Sequence, residues 1–213
     1  MGLGAFPIVG TAVVATALAN DLSMSLTMFG AGVAVNTAVG AVCAPPSGRF
    51  SDRYGGKWSC VLVLLSAGLG LLIVACATSV TGLMLGLLVA GYGQGACNPA
   101  TNKLVAERAA KGRRGTMTGI KQSGVQLGIL LGGFTLPALS IWFSWRLAIG
   151  LYAVLALVMA VVTACALPDS RVREINGTSG AYKTSAKTQL PRAVILLSFY
   201  ALCMGCVVGG VGT

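Results

Sequence analysis

The chain has 213 residues, of which 55% are hydrophobic and only 9% charged, with a formal net charge of +10. A water-soluble domain carries about 25% charged residues, so a soluble globule is excluded: residues 1–48 hold one charged side chain, Asp21, and residues 58–102 hold none. About 20 apolar residues cross a bilayer as a helix, so each of those stretches accommodates two passes and the chain reads as an integral membrane protein.

In chain order, apolar runs and breakers predict six spans. Helix 1 covers roughly 3–19 and stops at Asn20-Asp21, and helix 2 covers roughly 24–47 and is ended by Pro45-Pro46, which cannot continue a helix. Helix 3 takes about 58–77, and a tight uncharged turn at Thr78–Thr81 leads into helix 4 at about 82–103. Helix 5 covers about 116–139, closing near Pro137, and helix 6 covers about 146–167, stopped by Pro168. A polar connection, 168–192, precedes a seventh apolar run that begins at Ala193 and still continues at Thr213. Ending on "VVGGVGT" with no polar flank, that run is expected to be the start of a helix in a longer protein or a split gene.

Charge then sets the orientation. The 2–3 connection holds Arg49, Arg53 and Lys57, the 4–5 connection Lys103, Arg108, Lys111, Arg113 and Arg114, and the 6–7 connection Arg171, Arg173, Lys183, Lys187 and Arg192. Only Arg146 falls on the opposite side, and Lys121 lies within helix 5. The positive-inside rule makes the first set cytoplasmic, and the N-terminus with it. The basic excess is thereby a topology signal and not a nucleic-acid surface. Asn176-Gly177-Thr178 matches a glycosylation sequon but sits in the cytoplasmic connection, where it is not glycosylated.

The sequence holds no histidine, and its seven cysteines lie in or beside apolar runs. Cys203 and Cys206 form a CxxC without companions, so no metal or redox site is expected and the cysteines read as small packing residues. Gly91-x-Gly93-x-Gly95 lacks the spacing and the βαβ context of a dinucleotide fingerprint, so no cofactor is implied.

Between spans 2 and 3 stands "GRFSDRYGGK", residues 48–57. It resembles the signature loop of the major facilitator superfamily of secondary transporters, matching at Gly48, Asp52, Arg53, Gly55 and Lys57, with Phe50 in place of leucine and Gly56 in place of a second basic residue. "GYGQGACNPATNKLVAE" resembles helix 4 of that superfamily, and "GIKQSGVQLGILLGG" followed by Trp145-Arg146 resembles helix 5 and the start of helix 6. The resemblance implies an all-α fold: a polytopic membrane helix bundle of six transmembrane helices plus a truncated seventh, one half of a twelve-helix transporter whose halves are related repeats. It further implies that residues 1–167 form the N-terminal bundle, 168–192 the central cytoplasmic connection and 193–213 the beginning of the seventh helix, with the C-terminal half as the absent partner. In the family the charged loop meets a helix of the second half and holds the cytoplasmic side closed, so Gly48, Asp52, Arg53, Gly55 and Lys57 are expected to form a conformational latch. Independently, glycines allow a tight turn and close helix approach, and a carboxylate is favoured at a helix N-terminus.

Polar groups inside spans are costly in hydrocarbon and face a bundle interior or a wet cavity. Helix 4 places Gln94, Asn98 and Asn102 on one face at i, i+4, i+8, and helix 5 places Gln122 and Gln126 at i, i+4 beside Lys121. Helix 2 offers Asn36 and Thr37, and helix 1 Thr11 and Thr16. Because helices 1 and 4, with 2 and 5, line the central cavity in the family, Asn36, Gln94, Asn98, Lys121, Gln122 and Gln126 are the candidate substrate residues. The alternative for the amides is interhelical hydrogen bonding, worth around 1 kcal/mol or less per bond; for Lys121 it is snorkelling to the interface. Facing inward, Lys121 would favour an anionic substrate.

The helix 5 drug-antiporter motif is only partly matched, since Gly119, Gly128 and Gly132 fit but Gly133 replaces its proline and Leu136-Pro137 its terminal glycine pair. Leu87 stands where many members carry an arginine, and no carboxylate falls mid-span. The leading expectation is transport of a small organic solute by alternating access, with no covalent chemistry. Multidrug efflux is the alternative within transport, a structural or assembly subunit the alternative outside it, and a membrane enzyme lacks the histidine or paired acids it would require.

Overall fold

The computed structural model describes residues 2–108 and 114–167, which belong to one compact unit. The described residues are helical almost throughout: α1 (Gly2–Val13), α2 (Ala15–Asp21), α3 (Leu26–Ala75), α4 (Val80–Arg108), α5 (Arg114–Trp142) and α6 (Trp145–Ala166). Among them α3, α4, α5 and α6 are long and apolar enough to cross a membrane. The expected seventh span, and the connection before it, lie outside the described residues.

The expected first helix is two pieces. Val14, at φ −104 and ψ 16, separates α1 from α2, although Leu18 N–H still donates to the Val14 carbonyl at 2.9 Å. Ser25 caps the next helix by accepting the Met28 N–H at 3.2 Å.

Pro45-Pro46 do not end helix 2. The helix runs through both prolines to a break at Gly55. In an apolar surround an exposed irregular segment would leave several backbone groups unsatisfied, whereas two prolines remove only their own two donors. Beside them Ser47 Oγ donates to the Ala44 carbonyl at 2.8 Å.

The two limbs of α3 run in opposite directions, as their neighbours on α4 show. On the first limb Gly32 abuts Leu87, Gly40 abuts Gly91 and Gly95, and Asp52 pairs with Lys103, so the numbers rise together. On the second limb Ser66 abuts Gly93, Gly70 abuts Ala90, and Val74 abuts Gly86, so they run oppositely. Helix α4 is thus wedged between the limbs. Its glycines serve both sides: a Cβ at Gly91 would lie 2.7 Å from the Asn36 carbonyl, one at Gly95 would strike the Gly40 carbonyl, and one at Gly93 would lie 2.8 Å from Ser66 Oγ. Small residues permit such approach in membrane bundles.

Ser79 Oγ accepts the Gly82 N–H at 3.3 Å and opens α4 two residues before the expected start. Helix α5 passes through Pro137 to Trp142, with Ser140 Oγ donating to the Leu136 and Pro137 carbonyls. Ser144 caps α6 by accepting the Leu147 N–H at 3.2 Å. The main core joins Leu18, Leu71, Leu83, Leu87, Leu136 and Ile149 from α2 through α6. A second cluster around Cys60, Val63 and Cys97 joins α3 to α4, which fits the packing role expected of those two cysteines.

Candidate substrate site and charged turn

At the Gly55 end of the bundle, two adjacent glycines have different reasons to be there. Gly55 has φ 85 and ψ 167, a backbone conformation that a side chain disfavours. Gly56 is needed for space: a Cβ there would lie 2.7 Å from the Leu104 backbone. The Gly56 N–H, at the start of the second limb, donates to the Glu107 carboxylate at 3.1 and 3.4 Å. Glu107 thereby holds a negative charge at a helix N-terminus, where the backbone dipoles favour it. This residue was not among the sequence candidates. Its signal in the sequence was its place at the end of "GYGQGACNPATNKLVAE", the stretch that resembles helix 4 of the superfamily.

Asp52 is exposed and forms an ion pair with Lys103 at 3.1 Å, joining the first limb of α3 to α4. Gly48 has open space where its side chain would stand. Arg53 lies over the Tyr54 ring at 5.7 Å and Lys57 over the Trp58 ring at 5.3 Å. The described residues therefore bring Asp52, Arg53, Gly55 and Lys57 together at one turn, next to the end of α4.

Lys121 lies seven residues into α5, about 10 Å along the helix at 1.5 Å per residue. It is half-buried, and its Nζ donates to Asn102 Oδ1 at 2.5 Å and approaches Thr101 Oγ1 at 3.5 Å. The ammonium consequently bridges α4 and α5 through neutral acceptors, with no ion pair among the described residues. Beside it opens a recess of about 320 Å³ lined by Thr101, Leu104, Val105, Ile120, Lys121, Gly124 and Val125. Such a lining is mostly apolar with one cation and a hydroxyl, a combination suited to a small amphipathic anion.

The other candidates separate into two groups. Asn98, Gln122 and Gln126 are exposed on α4 and α5. Gln94 is half-buried, and its Oε1 is sealed from solvent without a hydrogen-bond partner among the described residues. Asn36 is fully buried in the seam between α3 and α4, where its Nδ2 donates to the Leu87 carbonyl at 2.6 Å. Leu87 itself is fully buried and packs on Gly32, so the position is occupied by core. Thr11 is buried and donates to the Pro7 carbonyl at 2.6 Å within its own helix.

At the opposite end Arg146 gathers three segments. Its guanidinium pairs with Asp21 at 2.8 Å, donates to the Ala77 carbonyl at 3.0 Å and lies 4.7 Å from the Trp145 ring centroid. Sequence reading placed Arg146 on the less basic side and, with Trp145, in the resemblance to the start of helix 6, without a partner for it.

Comparison with known proteins gives a consistent result. Over 126 residues the chain is 32% identical to the probable polyol transporter 4 of Arabidopsis thaliana, covering 58% of this chain and 24% of that protein. It is 33% identical over 124 residues to the 4-hydroxybenzoate transporter PcaK of Pseudomonas aeruginosa, covering 58% and 28%, and 26% identical over 147 residues to the hexuronate transporter of Bacillus subtilis, covering 69% and 33%. The matched part amounts to 24–33% of the length of these relatives. The pattern described as Major Facilitator Superfamily matches residues 2–213, nearly the whole sequence. The chain, a membrane protein whose described residues are helical almost throughout, belongs to the major facilitator superfamily.

Proposed function

We propose that this chain supplies the N-terminal six-helix half of a secondary transporter that moves a small organic anion by alternating access. The observation that carries the reading is Lys121: a half-buried ammonium held, among the described residues, by the neutral groups of Asn102 and Thr101 beside a mostly apolar recess. A cation with no carboxylate partner among the described residues attracts a solute carboxylate in a weakly screened site. Two relatives bear names that denote carboxylates, 4-hydroxybenzoate and hexuronate. Gln94, Asn98, Gln122 and Gln126 do not border that recess and are proposed to line the solute pathway outside it; the burial and hydrogen bond of Asn36 favour a bundle-tying role for that residue.

Residues 48–57 act as the latch. Asp52 keeps 75% of its side chain exposed while paired with Lys103, so it remains within reach of a helix from the second half, and the open space at Gly48 leaves room for that approach. The thirteen basic residues of the connections face the cytoplasm, the N-terminus lies on that side, and the membrane is the bacterial inner membrane. The chain performs no covalent chemistry. A multidrug exporter is disfavoured by Gly133 and Leu136-Pro137 and by the solutes for which the relatives are named. A neutral polyol is the second reading, supported by the amide stripe and the name of one relative.

Uptake by cells expressing the intact gene, offered labelled 4-hydroxybenzoate, a hexuronate and a polyol, separates these readings. Lys121→Gln is expected to lower carboxylate uptake about tenfold or more, the scale of one charge-assisted hydrogen bond. Carboxylate uptake unchanged by that substitution, at equal protein level, would remove the anionic assignment.

A further inference from the structure

The charged turn contains a repeat that transport does not explain. A cation and an aromatic residue stand side by side three times at intervals of four: Arg49-Phe50, Arg53-Tyr54 and Lys57-Trp58. On the first limb of α3, before the break at Gly55, residues four apart share a face, and Phe50 and Tyr54 stack at 4.5 Å between ring centroids; Lys57 and Trp58 follow the break at the start of the second limb. Tyr54 and Trp58 are large aromatic surfaces exposed beside apolar spans, 37% and 43% accessible. Arg53 and Lys57 each lie over the ring that follows them.

The acids of this region are engaged elsewhere. Asp52 pairs with Lys103, and the Glu107 carboxylate accepts the Gly56 N–H. Neither Arg49 nor Lys57 has an ion-pair partner among the described residues. The 2–3 and 4–5 connections together hold Arg49, Arg53, Lys57, Lys103, Arg108, Lys111, Arg113 and Arg114 against only Asp52 and Glu107. Amphipathic rings settle at headgroup depth, and basic residues at that depth attract anionic lipid.

We propose that this turn is a binding site for the headgroup of an anionic phospholipid, with Arg49 and Lys57 on the phosphodiester and Tyr54 and Trp58 against the glycerol and upper acyl region. The site is independent of which solute is carried. It also makes the turn responsive to bilayer composition, since Lys57 and Arg53 belong to the proposed latch.

The test uses the purified full chain in vesicles of phosphatidylcholine mixed with phosphatidylglycerol, one or the other brominated on its acyl chains. Subtracting the emission of Trp58→Phe isolates the Trp58 signal. Quenching is expected to give phosphatidylglycerol a binding constant at Trp58 about fivefold or more above that of phosphatidylcholine, falling towards unity in the Arg49→Gln/Lys57→Gln variant. A ratio near unity in the unaltered chain would overturn the proposal without recourse to any variant. Retention of the preference by the double variant would also overturn it. Relief of quenching by inorganic phosphate at equal concentration would assign the turn to a soluble anion and overturn it too.

Discussion

Gly55 and Gly56 show how one dipeptide meets two separate demands. Adding a methyl group at Gly55 forces a side chain into a backbone conformation that costs of order 1–3 kcal/mol, while adding one at Gly56 drives a carbon into Leu104. Gly55→Ala and Gly56→Ala are each expected to destabilise the bundle by about 1–3 kcal/mol, whereas Gly124→Ala, in open space, leaves stability unchanged or slightly raised. Denaturant unfolding in detergent micelles measures all three. Asp52→Asn belongs at the same scale. An exposed ion pair is worth about 0–1 kcal/mol, so its loss should scarcely move stability, and a marked fall in transport by this variant would come from the latch. The sequence showed which polar side chains lie within spans, because their chemistry is unusual there. It did not distinguish Asn36, buried against Leu87, from exposed Asn98, since that depends on which face of each helix meets a neighbour.

At the level of elements, α4 is the organising piece, wedged between the two limbs of α3. Gly91 and Gly95 face one limb and Gly93 the other, so the alternating glycines that mimic a nucleotide motif are the footprint of double-sided packing. Gly95→Ala must push the first limb away from α4 at Gly40 and is expected to cost about 1–3 kcal/mol by overpacking; Gly95→Leu should prevent stable insertion, read as loss of folded protein on size exclusion. Glu107→Gln removes a charge that the start of the second limb stabilises and should cost about 0.3–1 kcal/mol, diminishing in high salt. Span positions were readable from apolar runs, whose length is imposed by the bilayer. Their ends were less so. Pro45-Pro46 and Pro137 read as terminators because the rule comes from helices whose broken ends can hydrate, and in these helices continuing costs less than breaking.

For the whole molecule, α5 is the least enclosed of the four long helices, with 17% of its most apolar window buried against 61% for α3. It displays both apolar residues, such as Ile120, Leu131 and Phe134, and the exposed amides Gln122 and Gln126. If this face meets a second half across a water-filled pathway, single cysteines at Asn98, Gln122 and Gln126 should react with a water-soluble maleimide in the intact transporter. Those replacing Leu131 and Phe134, apolar residues of α5 outside the recess, should react at least about tenfold more slowly, because thiolates form poorly away from water. Equal rates at all five positions would argue against an aqueous lining on this side. Family membership was legible from a ten-residue turn; the inter-segment ties were not, since nothing local to Asp21, Ala77 or Arg146 announces that they meet. That meeting has a consequence for biogenesis. Translation delivers Asp21 and Ala77 to the membrane long before Arg146 leaves the ribosome, so the first helices must wait, their acid uncompensated, for the clasp that arrives with the sixth. Released chains truncated ahead of Trp145 should accordingly be degraded faster than chains that end after the sixth helix at Ala166.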